Sequence, residues 1–399
     1  MNPALDEPRG AWTVVWATFA SLGLIFGVAY SFAAYFESFA REFNASRADV
    51  SLVFGLCGLI YFSFGAAAGI LADRYGTRVV SSAGMVCIAA GLLASSWAPS
   101  MAMVIVAYGV GVGVGVGLVY TPSIGCVQPW FTRRRGLAAG LASAGIGVGT
   151  LVFPLLATQL IGALQWRGAL RLTAVLVLVL GLGAALLMRR APAATAPVGG
   201  TVVGSTLGQA VRSGSFMWLY LMTMLAAPAM FIPFAHVSAA ARDLGIDDAR
   251  AVGLVGIIGI GSLSGRFAIG ALADRFGRAL TLLFAQVSLG LSLLLWWWAG
   301  GYAALVVFAL WMGLSYGGMV SLMPALCMDL FGARAVSSII GVLYTGAALG
   351  NLVGPWLAGW VFDRSGSYVP VIVACLILQL GATWAVGRVW RAGRGLVSH

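Results

Sequence analysis

Gly69-Ile70-Leu71-Ala72-Asp73-Arg74-Tyr75-Gly76 returns 201 residues later as Gly270-Ala271-Leu272-Ala273-Asp274-Arg275-Phe276-Gly277. Phe131 and Arg134 return 200 residues on, as Phe331 and Arg334, and Pro154 returns as Pro355. A shift this constant over most of a chain reads as duplication of a whole half. The glycines of the element permit a tight turn and close helix packing. Its Asp can cap the following helix or pair with an Arg nearby. Residues 189–213, rich in Pro, Ala, Gly and Thr, read as a linker between halves 1–188 and 214–399.

Each element follows a long apolar run, and such runs recur along the chain. Hydrophobic residues make up 61% of the 399 positions and charged residues only 9%. A soluble domain carries roughly 25% charged residues, so there is too little charge here to coat a soluble globule. A helix needs about 20 apolar residues to cross the hydrocarbon core. Runs of that kind lie near 11–36, 49–72, 79–97, 101–127, 137–162, 168–188, 214–240, 251–273, 279–299, 302–327, 336–361 and 369–389. Backbone groups in lipid must pair within their own segment, which favours helices. The alternating ten-residue pattern of a membrane barrel is not found. The expectation is an all-α membrane protein with twelve transmembrane helices in two pseudo-symmetric six-helix bundles. The first run shows no small-residue cleavage site and reads as a retained span, not a signal peptide.

The chain has a net charge of +11, and all 23 of its basic residues are Arg. On a soluble protein that balance would point to nucleic acid. Here the positive-inside rule accounts for it. With the N-terminus inside, fifteen Arg and five acids fall on the cytoplasmic side, and seven of each fall outside. Both termini are therefore expected in the cytoplasm. Cys57, Cys87, Cys126, Cys327 and Cys375 each stand alone in or at the end of a run. They read as packing residues, not as metal ligands or a disulfide framework.

One Arg is left over. Arg266 stands eight residues before Asp274, about 12 Å up its helix at 1.5 Å per residue. A charge at that depth costs about 2.5–3.5 kcal/mol, and no carboxylate lies level with it. Glu37, Asp49 and Asp363 sit at helix ends. Arg266 reads as a fixed cation whose fork receives a carboxylate. The alternative is an Arg satisfied by carbonyls and water. His236 follows Pro228 and Pro233, which should bend or break its helix. It reads as a substrate ligand or as the carrier of a coupling proton; a plain interfacial histidine is the other reading. Tyr120, Tyr316 and Tyr344 each offer a hydroxyl on an apolar body. Asn351 is an amide within a span and can bond substrate or a neighbouring helix.

Gly109, Gly111, Gly113, Gly115 and Gly117 have no preceding strand and are not a nucleotide loop. Their spacing places Gly109, Gly113 and Gly117 on one helix face, where helices can pack closely. Trp296-Trp297-Trp298 reads as an interfacial anchor.

The duplicated element resembles the signature of the major facilitator superfamily, and the resemblance spans essentially the whole chain. Residues Phe131 to Gly145, read as Phe-Thr-Arg-Arg-Arg-Gly-Leu-Ala-Ala-Gly-Leu-Ala-Ser-Ala-Gly, resemble the fifth-helix signature of the monocarboxylate transporter family. Trp130 departs from that pattern, and Glu7, Gly10 and Trp12 echo the first-helix signature loosely. The bacterial oxalate/formate exchangers are close relatives of that family. The resemblance implies that Arg266, four residues before Gly270, binds substrate. It implies that Tyr120, Tyr316 and Tyr344 line the cavity, and that His236 belongs to an aromatic-rich proline run near the site. Many animal members carry Asp where this chain has Ser262, and a first-helix Lys near the position of Tyr30. This chain has neither. Exchangers of the oxalate type use a second cation on the eleventh helix, which is also missing here, so one carboxylate is favoured over two.

The expected function is a secondary transporter moving small lactate- or pyruvate-like monocarboxylates by alternating access. Proton coupling is open. An anion exchanger of oxalate/formate type and a transporter-like receptor are the alternatives. No Ser/His/Asp group, metal cluster or carboxylate pair stands at membrane depth, so no enzyme and no cofactor are expected. Asp73, Arg74, Arg78, Asp274, Arg275, Arg278, Arg133, Arg134 and Arg135 read as a cytoplasmic gate. The expected partners are a small carboxylate anion and the lipid bilayer, not nucleic acid, with a monomer as the working unit. The Arg-rich, Lys-free composition suggests a bacterial inner membrane.

Overall fold

The computed structural model describes residues 10–131, 135–189, 204–332 and 334–397, without the side chains of residues 66, 73, 128, 135–137, 337 and 392–397. Eleven of its helices are long and apolar enough to cross a membrane. The longest, Ala138–Leu187, holds two of the expected spans. Gln165, at φ 58 and ψ 167, breaks its backbone between them. The described residues therefore supply the twelve spans expected from the sequence.

They run in order as α1 Ala11–Phe43, α2 Arg47–Tyr75, α3 Thr77–Ser96, α4 Met101–Val127, α5 135–164 and α6 166–187. After the linker come α7 Gly214–Asp243, α8 Asp248–Phe276, α9 Arg278–Trp297, α10 Tyr302–Phe331, α11 Val336–Ser365 and α12 Val369–Val397. A short helix, Leu207–Val211, precedes α7. α7 runs unbroken through Pro228 and Pro233. The break expected there is not made.

The duplicated element is a turn built on one glycine. Gly76, at φ 91, ends α2 and starts α3, and Gly277, at φ 85, does the same between α8 and α9. A side chain at that φ would be strained. The expected Asp cap is not formed on the second element. Asp274 lies in the last turn of α8, and Gly277 occupies the N-cap without a side-chain bond.

Small residues set the helix spacing. A Cβ on Gly113 would stand 2.9 Å from Cys57 O of α2, and one on Gly111 would stand 2.9 Å from Gly91 Cα of α3. Gly109, Gly113 and Gly117 thus share the face toward α2, as their spacing implies, and Gly111 and Gly115 serve a second face toward α3. On α5, Cβ atoms at Gly145 and Gly149 would overlap the carbonyls of Phe19 and Gly23 of α1. Gly147, between them, approaches Gly259 O of α8 at 3.1 Å by the same measure. Close backbone approach of this kind replaces the hydrophobic drive that lipid cannot supply.

Three main pairings cross the duplication among the described residues: α2 packs along α11, α5 along α8 and, less extensively, α1 against α7. Within the halves, α1 packs on α5 and α8 on α10. A space at mid-depth is left among α1, α2, α4, α5, α7, α8, α10 and α11.

Candidate functional site

α8 carries Arg266 into that space. Its neighbour Gly265 lies so close to Leu314 O of α10 that a Cβ would overlap the carbonyl. Arg266 is 7% exposed, and its Nε and Nη2 have no hydrogen-bond partner. It lines a cavity together with Phe26, Phe62, Tyr120, Phe231, Tyr316 and Tyr344. Met222, Met230, Met319 and Met323 complete a largely apolar wall. Arg266 is the one charged residue among the described lining. Met222 and Met323 stand nearer the linker end of their helices than Phe231 and Tyr316, so the cavity extends from mid-depth toward that end.

A layer of rings bounds the cavity on the other side. Tyr30 OH lies 3.0 Å from Tyr316 OH, and the Tyr30 ring stacks on Phe234 at 4.2 Å. Tyr30 is therefore one layer behind the cavity wall. Ser262 sits one turn from Arg266, buried, with an unpartnered hydroxyl, and does not line the cavity. Asn351 lies between α11 and α2, its Nδ2 3.5 Å from Phe54 O and from Gly55 O. It too stands outside the lining.

His236 also stands away from Arg266. Its ring is fully buried at the end of the bundle opposite the linker, edge-on to Phe36. Nε2 lies 2.9 Å from Ser51 Oγ of α2 and 2.8 Å from Pro355 O of α11, and Nδ1 lies 3.0 Å from Tyr368 OH. All of its polar atoms are engaged with protein.

Around it is a cluster that the sequence reading did not single out. Arg47, the first residue of α2, forks onto Asp243 at the end of α7, with Nη1–Oδ2 at 2.9 Å and Nη2–Oδ1 at 2.6 Å. Its Nη1 also donates to Tyr368 OH at 2.7 Å, and its guanidinium lies 3.8 Å over the Phe362 ring. Asp363 accepts the backbone N–H groups of Arg47 and Ala48, each at 3.0 Å, and so caps α2 from α11. Tyr368 stands just before α12. Burial pushes its phenol well above the ordinary value, against the opposing pull of Arg47. The cluster ties the two halves together at this end.

At the linker end the described gate residues make no ion pair between the halves. Arg278 pairs with Asp329 inside the second half. Arg78 donates to Leu186 O inside the first half. Arg74 and Arg275 lie over the adjacent rings of Tyr75 and Phe276, at 5.2 and 5.4 Å. Asp274 is exposed. The side chains of Asp73 and Arg135, and residues Arg133 and Arg134, lie outside the described residues.

Comparison with known proteins agrees along the whole chain. A sequence model of the family described as Major Facilitator Superfamily matches residues 14–355 and 219–393. Monocarboxylate transporter 13 of Bos taurus is 32% identical over 383 residues, covering 94% of this chain and 89% of that protein. Monocarboxylate transporter 3 of Rattus norvegicus is 31% identical over 369 residues, covering 90% and 75%. MFS transporter asaE of Aspergillus flavus is 29% identical over 398 residues, covering 98% and 89%.

Proposed function

The chain belongs to the major facilitator superfamily, in its monocarboxylate transporter family, and from that premise we propose that it moves small monocarboxylates by alternating access. The observation that carries the substrate class is Arg266, a buried guanidinium with two unpartnered nitrogens on a cavity wall. A carboxylate supplies the missing acceptors and the missing charge together. The apolar remainder of the wall suits the body of such an anion. Tyr120, Tyr316 and Tyr344 would bond the same carboxylate or a neighbouring oxygen. One cation balances one carboxylate, which favours monocarboxylates over oxalate.

The moving parts in this reading are bundles 1–188 and 214–399, joined by the linker. In this reading that end and both termini lie in the cytoplasm, which the excess of Arg at the linker end supports, and the membrane is a bacterial inner membrane, which the composition favours. The Arg47 cluster then closes the outer side, and the cavity faces inward. Closure of the inner side would bring the loops of Asp73, Asp274 and Arg133–Arg135 together. The direct test is uptake by purified protein in proteoliposomes. Labelled lactate or pyruvate should exchange across the membrane, with oxalate a poor competitor. Transport of oxalate in preference to both would overturn the substrate class.

His236 carries the coupling proton in this reading. It acts from the outer closure, where its ring is shared by Ser51 of one half and by Pro355 and Tyr368 of the other. Opening of that side breaks the sharing and exposes the ring to protons. His236→Gln should therefore keep exchange of substrate at equal concentrations but lose accumulation driven by a pH gradient. Uphill accumulation by the variant at the unsubstituted rate would remove His236 from coupling.

A further inference from the structure

Away from the cavity, at the linker end, α7 and α12 part over a crevice lined by Gly214, Ser215, Trp218, Arg388 and Arg391. Transport chemistry makes no use of it. Arg388 and Arg391 are three residues apart on α12, so both arise from one face of that helix. Among the described residues neither is paired with a carboxylate. Facing them is the start of α7, a 30-residue helix. Ser213 caps its Phe216 N–H at 3.2 Å, while the amides of Gly214 and Ser215 precede the first position that can bond within the helix. The positive end of the helix dipole therefore adds to two guanidinium charges.

Aromatic rings fix the depth of this crevice. Arg388 lies 5.3 Å over Trp218 and 5.8 Å over Trp384, and the two rings meet edge to face at 4.8 Å. Trp384 is 54% exposed on the outside of the bundle. A Trp with one side in hydrocarbon and one toward water belongs at the headgroup level. Below the rings, Leu380 and Ile377 continue down α12 at 72% and 64% exposure, as a surface for acyl chains. The crevice thus joins an unbalanced cationic floor to a greasy track.

We propose that this crevice binds an anionic phospholipid of the inner leaflet. Its phosphate sits between the Arg388 and Arg391 guanidinium groups and the first amides of α7, and its acyl chains run down past Trp384. Basic pockets between membrane helices on the cytoplasmic side suit such headgroups. The bound lipid bridges α7, the first span after the linker, to α12, and holds the two together at the joint of the second half.

The test is native mass spectrometry and thermal unfolding of the purified full chain. Detergent samples are titrated with phosphatidylglycerol, phosphatidylcholine or inorganic phosphate. The expected result is one tightly retained phosphatidylglycerol and a melting point raised by it alone. Arg388→Gln/Arg391→Gln should lose both the retained lipid and the shift. Arg391→Gln alone, a milder change at an exposed position, should weaken retention about tenfold. Stabilisation by a carboxylate substrate, read in the same samples, should persist in all variants, because Arg266 is untouched. The proposal is overturned if the variants retain phosphatidylglycerol as the unsubstituted chain does. It is equally overturned if phosphatidylcholine binds as tightly, or if inorganic phosphate alone gives the same shift.

Discussion

Arg266→Lys will abolish carboxylate transport, and Arg266→Met will abolish it while making the empty protein more stable. The two effects have opposite signs for one reason. Arg266 is a buried cation with two nitrogens that bond nothing. Leaving a charge in that state costs free energy, and an apolar residue of similar length removes the cost. The empty Met variant should therefore melt at or above the temperature of the unsubstituted chain. Substrate binding is where the cost is recovered. Loss of one partner of a buried charge pair costs about 2–5 kcal/mol, or roughly 30- to several-thousand-fold. Lysine keeps the charge but loses the two-toothed fork, so it should not restore transport. Uptake in proteoliposomes and melting curves with and without substrate measure both effects. A Met variant that melts well below the unsubstituted chain would show Arg266 to be a structural residue.

Arg47→Ala will open the outer side. The substitution removes the fork onto Asp243, the bond to Tyr368 and the contact with the Phe362 ring. All three join α2 to the second half. Asp243 is 38% exposed at its side chain, so solvent screens the pair. After that discount the pair is worth about 1–2 kcal/mol, a shift of about 5- to 30-fold in the balance of the two orientations. A reporter reads the shift. Ser238 is fully buried on α7, 3.4 Å from Ala33 O of α1. In a background without other cysteines, Ser238→Cys should react with an impermeant maleimide about 5- to 30-fold faster once Arg47 is Ala. Asp243→Ala should do the same, and the double variant should add little to either. Unchanged labelling in both single variants would show that other contacts hold the outer side shut.

These two residues also mark what the sequence could and could not reveal. The scaffold was legible because repeats and apolar runs are local signals. Gly76 and Gly277 could be read as turns since their positive φ is a property of one residue. Arg266 could be read because a charge at that depth is anomalous whatever surrounds it. Arg47 and Asp243 were counted among outer charges that cancel. They also pair, but they are 196 residues apart, and no local pattern records that. The proline run marks His236 as special, but not which wall it faces. Phe231 lines the cavity, and His236 lies five residues on. At roughly 100° per residue, five steps carry a side chain well round to another face. Asn351 bonds a neighbouring helix, the second of its two readings, for a reason of depth. It is four residues past Ala347, which lines the cavity, and so about 6 Å further along α11, where α2 closes over it.

The hydroxyls of Tyr30 and Tyr316 bond each other across the two halves, just above the cavity. Motion that parts the outer side must break that bond, and each hydroxyl then needs another partner. A substrate arriving from outside meets two free hydroxyls; one arriving from inside meets a pair already satisfied. The binding site is thus not the same chemical object from its two entrances. Half-saturation for influx and for efflux should differ, with maximal rates differing in compensation, since the overall equilibrium owes nothing to the carrier. The protein sets how steeply each direction responds to concentration, and the gradients alone set which direction prevails.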